Sequence, residues 1–295
     1  MVRNVCGSPR CDHSGESYRW TLRPERGAPL TPEKTVVTAQ DIDSSAREGL
    51  RRALLALADG KRLMGIRYSD WLLGAPSIET GIAASSMAQD EWGHARLLYS
   101  MLKDFGMDPT EVEHGRAAQE YANPPALDES PGDWAALVAA SVVVDGALSV
   151  ALEGFSEGVY EPARSRVPKM LVEEAFHHDL AVAWFRKLAE GSPEGRTRLC
   201  AAALSMLGST LAWLAPADEV GQAQSASGLV PEGSVLLSHF VERYGELLAR
   251  VDIDVVAVDP ERDAWDSARG RGPGCPDEEV VSRARGDLNR MLLVE

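Results

Sequence analysis

The sequence contains few cysteines and none of the motifs that paired cysteines form. Its four cysteines, Cys6, Cys11, Cys200 and Cys275, include no Cys-x-x-Cys pair. This excludes a rubredoxin-type iron site and a thioredoxin-like motif, and scattered cysteines favour a reducing cytoplasm. A zinc site made by Cys6, Cys11 and His13 would require a spacing that common zinc fingers do not use.

The chain also lacks an excess of basic residues and a long apolar run. It has 45 acidic and 30 basic residues, for a net charge of −15, which argues against nucleic acid as the main partner. Residues 1–40 lack the apolar core of a signal peptide. Residues 199–214 are too short and too interrupted by Ser and Gly for a membrane span. Because flavin and nicotinamide fingerprints are absent too, electrons for redox chemistry would come from a separate reductase.

The dominant pattern is a series of long helices separated by Gly and Pro. Short turns between the first two helices, and between the next two, predict two antiparallel hairpins. The sequence therefore predicts an all-α fold, a ferritin-like four-helix bundle with peripheral helices at its C-terminal end. We expect a flexible arm over 1–44, a helical core over 45–214 and peripheral loops and helices over 215–295. The predicted helices cover 45–73, 77–105, 133–158, a stretch up to 191 that Pro162 and Pro168 break near its start, 193–214, 234–250 and a last one after Pro276.

Two Glu-x-x-His motifs lie inside these helices, Glu91 with His94 and Glu174 with His177. Residues i and i+3 share one helix face, so each pair can reach the same metal ion. One such motif arises often by chance, as a surface Glu and a buried His. Two of them, with one carboxylate from each of two other helices, make the dinuclear site of ferritin-like bundles.

The register of the two hairpins predicts the remaining carboxylates. Asp59 lies level with Glu91, and Asp145 lies level with Glu174. Asp70 would lie about 16 Å farther along the helix axis than Asp59, which is too far for one site. Asp145 stands in an apolar stretch, where ligation to a metal or pairing with a buried Arg or Lys would offset its burial. Other carboxylates near these positions are Asp90, which could orient a ligating His, and Glu153, Glu157 and Glu173.

Several of these segments resemble the phenylacetic acid catabolic protein family, over roughly residues 54–218. The similar segments are Gln-Asp-Glu-x-Gly-His at 89–94, Val-Asp-Gly-Ala at 144–147, Glu-Glu-x-Phe-His at 173–177, Gly-Ala-Pro-Ser at 74–77 and Trp-Leu-Ala-Pro-Ala-Asp at 213–218. The resemblance is to the catalytic branch, the ring-1,2-phenylacetyl-CoA epoxidase.

The resemblance implies a set of ligands and an activity. It implies two iron ions, with manganese as the alternative, held by Glu91, His94, Asp145, Glu174 and His177, the three carboxylates among them also serving catalysis. An O2-dependent monooxygenase acting on an aromatic acyl-CoA such as phenylacetyl-CoA would follow. It would work with a reductase and with a structural sister subunit or a second copy of itself.

The resemblance breaks at one position on the first helix. An ungapped match puts Lys61 where the family has a ligating Glu, so Asp59 is the nearest carboxylate that could complete the site. This departure supports a rival interpretation, a non-catalytic structural subunit of such a complex. A ferritin-like iron-oxidising protein is the other rival.

Overall fold

The computed structural model describes residues 36–292, and within them helices and loops form no β-strand. Two isolated bridges, Val37 with Tyr160 and Asp266 with Arg271, are the extended pairings in this part of the chain. The predicted all-α fold is therefore confirmed. Most of the flexible arm predicted over 1–44, together with Cys6, Cys11 and His13, lies outside the described residues.

Most connections between the helices are short, whereas residues 115–133 and 250–277 form longer ones. The fourth and fifth helices form one continuous rod, because a π-helical turn, Ser141–Asp145, joins them without a break. The helices are α1 Ser44–Asp70, α2 Ile78–Met101, α3 Pro109–His114, α4 Trp134–Ala140, α5 Gly146–Glu157, α6 Glu161–Ala189, α7 Pro193–Leu214, α8 Glu219–Ala226, α9 Gly233–Ala249, α10 Glu278–Arg285 and α11 Asp287–Arg290.

The bundle is built on two hairpins. Helices α1 and α2 form the first, and the α4–α5 rod with α6 forms the second, while α7 packs against α4. The rod is apolar enough to span a membrane, but 89% of its most apolar window is buried inside the protein. Its composition therefore reflects a position at the centre of the bundle. The window of α7 that passes the same test is 50% buried.

Helix starts depend on side chains that accept hydrogen bonds from free backbone N–H groups. Ser77 caps α2 as predicted, by accepting from the backbone N of Thr80. The pattern Ser45-x-x-Glu48 predicts a capping box at the start of α1, and this prediction is wrong, because Asp43 caps the helix and accepts from Ser45 and Ala46. Similarly, Asp133 caps α4.

Two other predictions about helices are wrong. Helix α6 is unbroken from Glu161, with Pro168 on its exposed side. Pro162 stands in the first turn of α6, where proline is tolerated. Pro168 lacks an N–H and so removes one internal hydrogen bond, but the helix continues past it. The sequence of residues 215–233 predicts an irregular loop, yet these residues include α8. That helix packs so closely on α1 that a Cβ at Gly49 would lie 2.8 Å from the Cβ of Gln224.

Candidate metal centre

The two hairpins bring four of the six predicted ligands together in the bundle interior. Helix α2 supplies Glu91, α6 supplies Glu174 and His177, and the π-helical turn supplies Asp145. One ligand atom from each of these side chains lies within 4.8 Å of the others, and all four residues are buried. We call these four residues the acidic cluster.

The π-helical turn sets the position of Asp145. A π turn contains an extra residue relative to an α turn and is frequent at functional sites. Here Ser141 donates its hydroxyl to the carbonyl of Leu137 inside the widened turn, and Asp145 is the last residue of the turn. The sequence gives no sign of this turn, because Val142, Val143 and Val144 fit an ordinary buried helix equally well.

Lys61 of α1 occupies the middle of the acidic cluster. Its Nζ donates to Glu91 Oε1 at 2.9 Å, to Asp145 Oδ1 at 2.8 Å and to Glu174 Oε1 at 2.6 Å. An ammonium group has three donors, so all three are used on carboxylates. The Lys61 side chain is 0% exposed. The lysine noticed in the sequence as a departure is thus the cation around which the three carboxylates are arranged.

The charges in this cluster stabilise one another. Burial opposes the charged form of Lys61, but the three carboxylates raise its pKa well above the ordinary value. Burial would likewise raise the pKa of Glu174, yet the Lys61 ammonium lowers it to about 2. The same ammonium outweighs burial at Asp145 and lowers its pKa. At Glu91, burial and the charge of Asp145 raise the pKa to about 7.

Each of the two histidines has both ring nitrogens close to carboxylate oxygens. His177 has both nitrogens beside carboxylates, Nδ1 at 3.2 Å from Glu91 Oε1 and Nε2 at 3.3 Å from Asp90 Oδ2. Burial disfavours the imidazolium of His177, but hydrogen bonds to Asp145 and Glu91 raise its pKa to about 11. His94 places Nε2 at 2.7 Å from Glu173 Oε2. Its Nδ1 lies 3.0 Å from Glu174 Oε1, out of line for a hydrogen bond.

The structure does not bring Asp59 into the acidic cluster, so its prediction as the completing ligand needs correction. Its carboxylate is fully buried and accepts from the hydroxyl of Tyr99 at 2.6 Å, the backbone N of Ala122 at 2.8 Å and the guanidinium of Arg116. Hairpin register fixes the position of a residue along the helix axis but not the direction in which its side chain points. Asp59 and Lys61 are two residues apart, about 200° around the helix, so only one of them can point to the centre.

Two further polar residues complete the surroundings of the cluster, and sequence reasoning missed both. Tyr68, two turns after Lys61 on α1, donates its hydroxyl to Asp145 Oδ2 at 2.7 Å. Ser149 donates to Glu174 Oε2 at 2.5 Å. Ser149 stands four residues after Asp145 and Tyr68 seven residues after Lys61, so helical spacing was the available signal. They satisfy carboxylate oxygens that Lys61 does not reach.

These pKa shifts predict a stability maximum near pH 5 for the metal-free protein. Asp145 and Glu174 stabilise the fold above their unfolded pKa values, and this contribution is lost as the pH falls toward 2. Protonated His177 stabilises the fold below about 6.5, and this is lost as the pH rises toward 11. Protonated Glu91 adds a contribution that is lost as the pH rises through about 7.

Urea unfolding with a chelator present, at pH 5, 7 and 9, measures this dependence. We expect the free energy of unfolding to fall from pH 5 to pH 9, and His177→Gln to flatten that decline. A wild-type protein whose stability rises across the interval would contradict the assigned charges.

The dinuclear iron group that the resemblance implies does not fit this arrangement. Such a site needs a carboxylate from each of the four helices, and here α1 contributes an ammonium group instead. That group lies within hydrogen-bonding distance of Glu91, Asp145 and Glu174. A metal ion among those three oxygens would have to displace a buried, charged lysine.

Comparison with known proteins identifies the family of this chain. No curated protein matches it. A family model described as phenylacetic acid catabolic protein matches residues 33–271, most of the chain. Proteins of this family form a multicomponent phenylacetyl-CoA oxygenase complex. The match spans both hairpins, the acidic cluster and Lys61, and the chain belongs to the phenylacetic acid catabolic protein family.

Proposed function

We propose that this chain is a non-oxygenating partner subunit of a multicomponent oxygenase complex that acts on an aromatic acyl-CoA. The observation that carries the proposal is the position of the Lys61 Nζ, within 2.9 Å of three of the carboxylates that would otherwise hold metal. An oxygenase site needs open coordination positions on its metals. In this chain a side-chain cation holds the centre.

The cluster has a clear role in such a subunit. Lys61, Glu91 and Asp145 join α1, α2 and the π-helical turn, and Glu174 adds α6. A hydrogen-bonded ion cluster in a water-excluded interior favours one arrangement of these helices, because any other arrangement would leave a buried charge unpaired. The chain would then offer a rigid surface to its partners.

The partners would supply the functions that this chain lacks. A sister chain with a carboxylate at the position of Lys61 would hold the iron ions and the acyl-CoA, and a reductase would deliver electrons. With a net charge of −15, this chain favours a basic docking face on at least one of them. The complex would work in the cytoplasm.

A second candidate is that the chain is itself a monooxygenase. The observation in its favour is that Glu91, Asp145, Glu174 and His177 bring ligand atoms within 4.8 Å of one another. Carboxylate and imidazole ligands suit iron and manganese. This candidate requires Lys61 to leave the cluster when metal binds.

Product analysis tests the second candidate. The purified chain is loaded with Fe(II) under argon and then given a chemical reductant, O2 and phenylacetyl-CoA. Because Lys61 holds the centre of the cluster, we expect no more oxygenated thioester than in a protein-free control, measured by mass spectrometry. Repeated turnover by the wild-type chain would overturn the proposal.

The partner role is tested by adding this chain to a catalytic family member and its reductase. The chain is mixed with a family member that carries a carboxylate at the position of Lys61, together with the reductase. Product formation should increase when this chain is present. Unchanged product formation across a concentration series would show that the chain is not its partner.

A further inference from the structure

An open groove lies between α9 and the segment that follows it. Its lining consists of α9 residues between 241 and 249 and of residues 252–256. It encloses about 430 Å³, and five of its nine lining residues are exposed. A small-molecule site usually buries most of its ligand, so a groove this open is better suited to a segment of another protein chain.

The fold fixes both walls of this groove. Phe240 and Leu248 are buried and hold α9 in the core. After α9 the chain turns at Asp252, whose φ of 64° lies in the left-handed region, which aspartate adopts more readily than most residues. Ile253 and Val255 are then buried again. The groove therefore needs no partner to form.

Gly245 lines the groove, although packing within the chain does not require a glycine there. Val241, Gly245 and Ala249 are spaced four residues apart and share one face of α9. Apart from the helix backbone, a Cβ at Gly245 would have only Val241 Cγ1 within 4 Å in the described part of the chain, at 3.6 Å. Glycine inside a helix is less favourable than alanine. At this position it leaves room for a group that approaches from outside the chain.

The other wall of the groove carries an exposed apolar side chain. Val256 is 77% exposed and belongs to the 3-10 turn Val255–Ala257. Asp254 caps this turn by accepting from the backbone N of Val256 at 3.1 Å. The backbone that carries the valine is therefore fixed, and its side chain offers an apolar contact to a bound segment.

The lining of the groove is acidic. Three of the nine lining residues are Glu246, Asp252 and Asp254, and none of the nine is basic. Arg196 pairs with Asp252 at 2.7 Å, which leaves the charges of Glu246 and Asp254. A segment that carries positive charge is therefore favoured over a neutral or acidic one.

The basic residues nearest to Glu246 along α9 do not neutralise it. Arg243, three residues before it, pairs with Glu153 at 2.7 Å. Arg250, four residues after it, pairs with Glu190 at 2.7 Å. Glu246 is exposed and has no ion-pair partner within residues 36–292. Its carboxylate is thus free to pair with a cation from another protein.

We propose that the groove between α9 and residues 252–256 is a docking site for a short basic amphipathic helix of a partner protein. Residues 241–249 span about 12 Å of helix axis, which matches roughly two turns of the bound helix. An apolar side chain of that helix lies over Gly245 and against Val256, and Lys or Arg in the flanking turns pair with Glu246 and Asp254. This is the helix-in-groove mode of recognition. The inference goes beyond the proposed function, because it applies whether this chain or a sister chain binds the metal.

Peptide binding tests this groove. The probe is a fluorescein-labelled, amidated peptide of three Leu-Lys-Lys-Leu repeats, and the control peptide has Glu in place of every Lys. Fluorescence anisotropy with the intact chain, without reductase or substrate, gives the dissociation constants at about 0.15 M salt, where distant charges are screened. We expect saturable one-to-one binding of the basic peptide and none of the acidic one. If the basic peptide shows no saturable binding, the proposal is wrong.

Two variants of the groove and a matched charge control locate the bound peptide. Gly245→Leu fills the groove and Glu246→Lys reverses its charge, so each should weaken binding about 10-fold. Glu129→Lys makes the same charge change at an exposed loop position outside the groove and should change the affinity by less than about twofold. Circular dichroism checks that each variant is folded. Equal losses in Glu129→Lys and Glu246→Lys would show that the peptide responds to net charge alone, against the proposal.

Sedimentation of the chain without peptide tests a different occupant, a second copy of this chain. We expect the wild type and Val256→Asp to sediment alike, because the groove receives a basic helix and not another acidic chain. A wild-type dimer that Val256→Asp converts to monomers would overturn the proposal and assign the groove to self-association.

Discussion

Lys61→Met is expected to lower the free energy of unfolding of the metal-free protein by about 3–5 kcal/mol at pH 7, because removing one partner leaves buried charges uncompensated. Glu91, Asp145 and Glu174 would lose the hydrogen-bond donor that they share. Methionine fills a similar volume, so loss of packing contributes little. Urea unfolding followed by circular dichroism measures the change.

Two further results identify the cause of this loss. The deficit of Lys61→Met should shrink as the pH is lowered from 7 to 5, because the carboxylates can then take up protons. Added Mn(II) should also stabilise the variant more than the wild type, since binding to the folded state alone raises stability. The control is Lys169→Met, at an exposed position of α6, with an expected change within about 0.5 kcal/mol. A loss below about 1 kcal/mol in Lys61→Met would show that the three carboxylates do not depend on this cation.

Much of the fold follows from helical periodicity and from the residues that interrupt it. Gly74 and Pro76 end the first predicted helix near the observed end of α1, and Ser192 caps α7 as its sequence predicts. What sequence patterns missed depends on tertiary contacts. Residues 219–226 have little helical pattern of their own, yet they form α8 against α1. Pro168 is tolerated because it lies on the solvent side of a long helix whose other face is held by the core.

The candidate site shows the same division between local and tertiary information. The spacing of three residues places Glu91 with His94, and Glu174 with His177, on single helix faces, and hairpin register places Asp145 level with Glu174. These relations depend on helix geometry alone. Which residue of α1 points to the centre depends on the rotation of that helix, and the sequence offered both Asp59 and Lys61. Carboxylates are the usual ligands, so chemical reasoning favoured Asp59, while the packing of α1 turned Lys61 inward.

The carboxylates that each histidine meets could not be predicted from the two motifs. Each stands three residues after a glutamate, but their neighbours come from the opposite helix. His94 meets Glu173 of α6, whereas His177 meets Asp90 of α2 and lies within reach of Asp145. The carboxylates that each histidine meets therefore depend on the offset of α2 relative to α6, which only the packed structure fixes.

Asp59→Ala is expected to lower the free energy of unfolding by about 3–5 kcal/mol, because it leaves a largely buried guanidinium unpaired. Asp59 is the counter-ion of Arg116, whose side chain is 10% exposed. Arg116 in turn stacks over Tyr121, with its guanidinium carbon 4.7 Å from the ring centroid. The substitution would also remove the acceptor for Tyr99 and for the backbone N of Ala122, so the loop after α3 would lose its attachment to α1.

A second variant at this position distinguishes a structural Asp59 from a ligating one. Since its carboxylate lies outside the acidic cluster, Asp59→Asn, which keeps an acceptor oxygen, should bind as much Mn(II) per chain as the wild type. The matched control is Glu48→Ala on the same helix, whose side chain is 50% exposed and pairs with Arg51; exposed pairs contribute about 1 kcal/mol or less. If Asp59→Asn loses the bound ion while Asp59→Ala unfolds no more easily than Glu48→Ala, then Asp59 is a ligand after all. In that case α1 must rotate when metal binds, carrying Lys61 out of the cluster as Asp59 enters it.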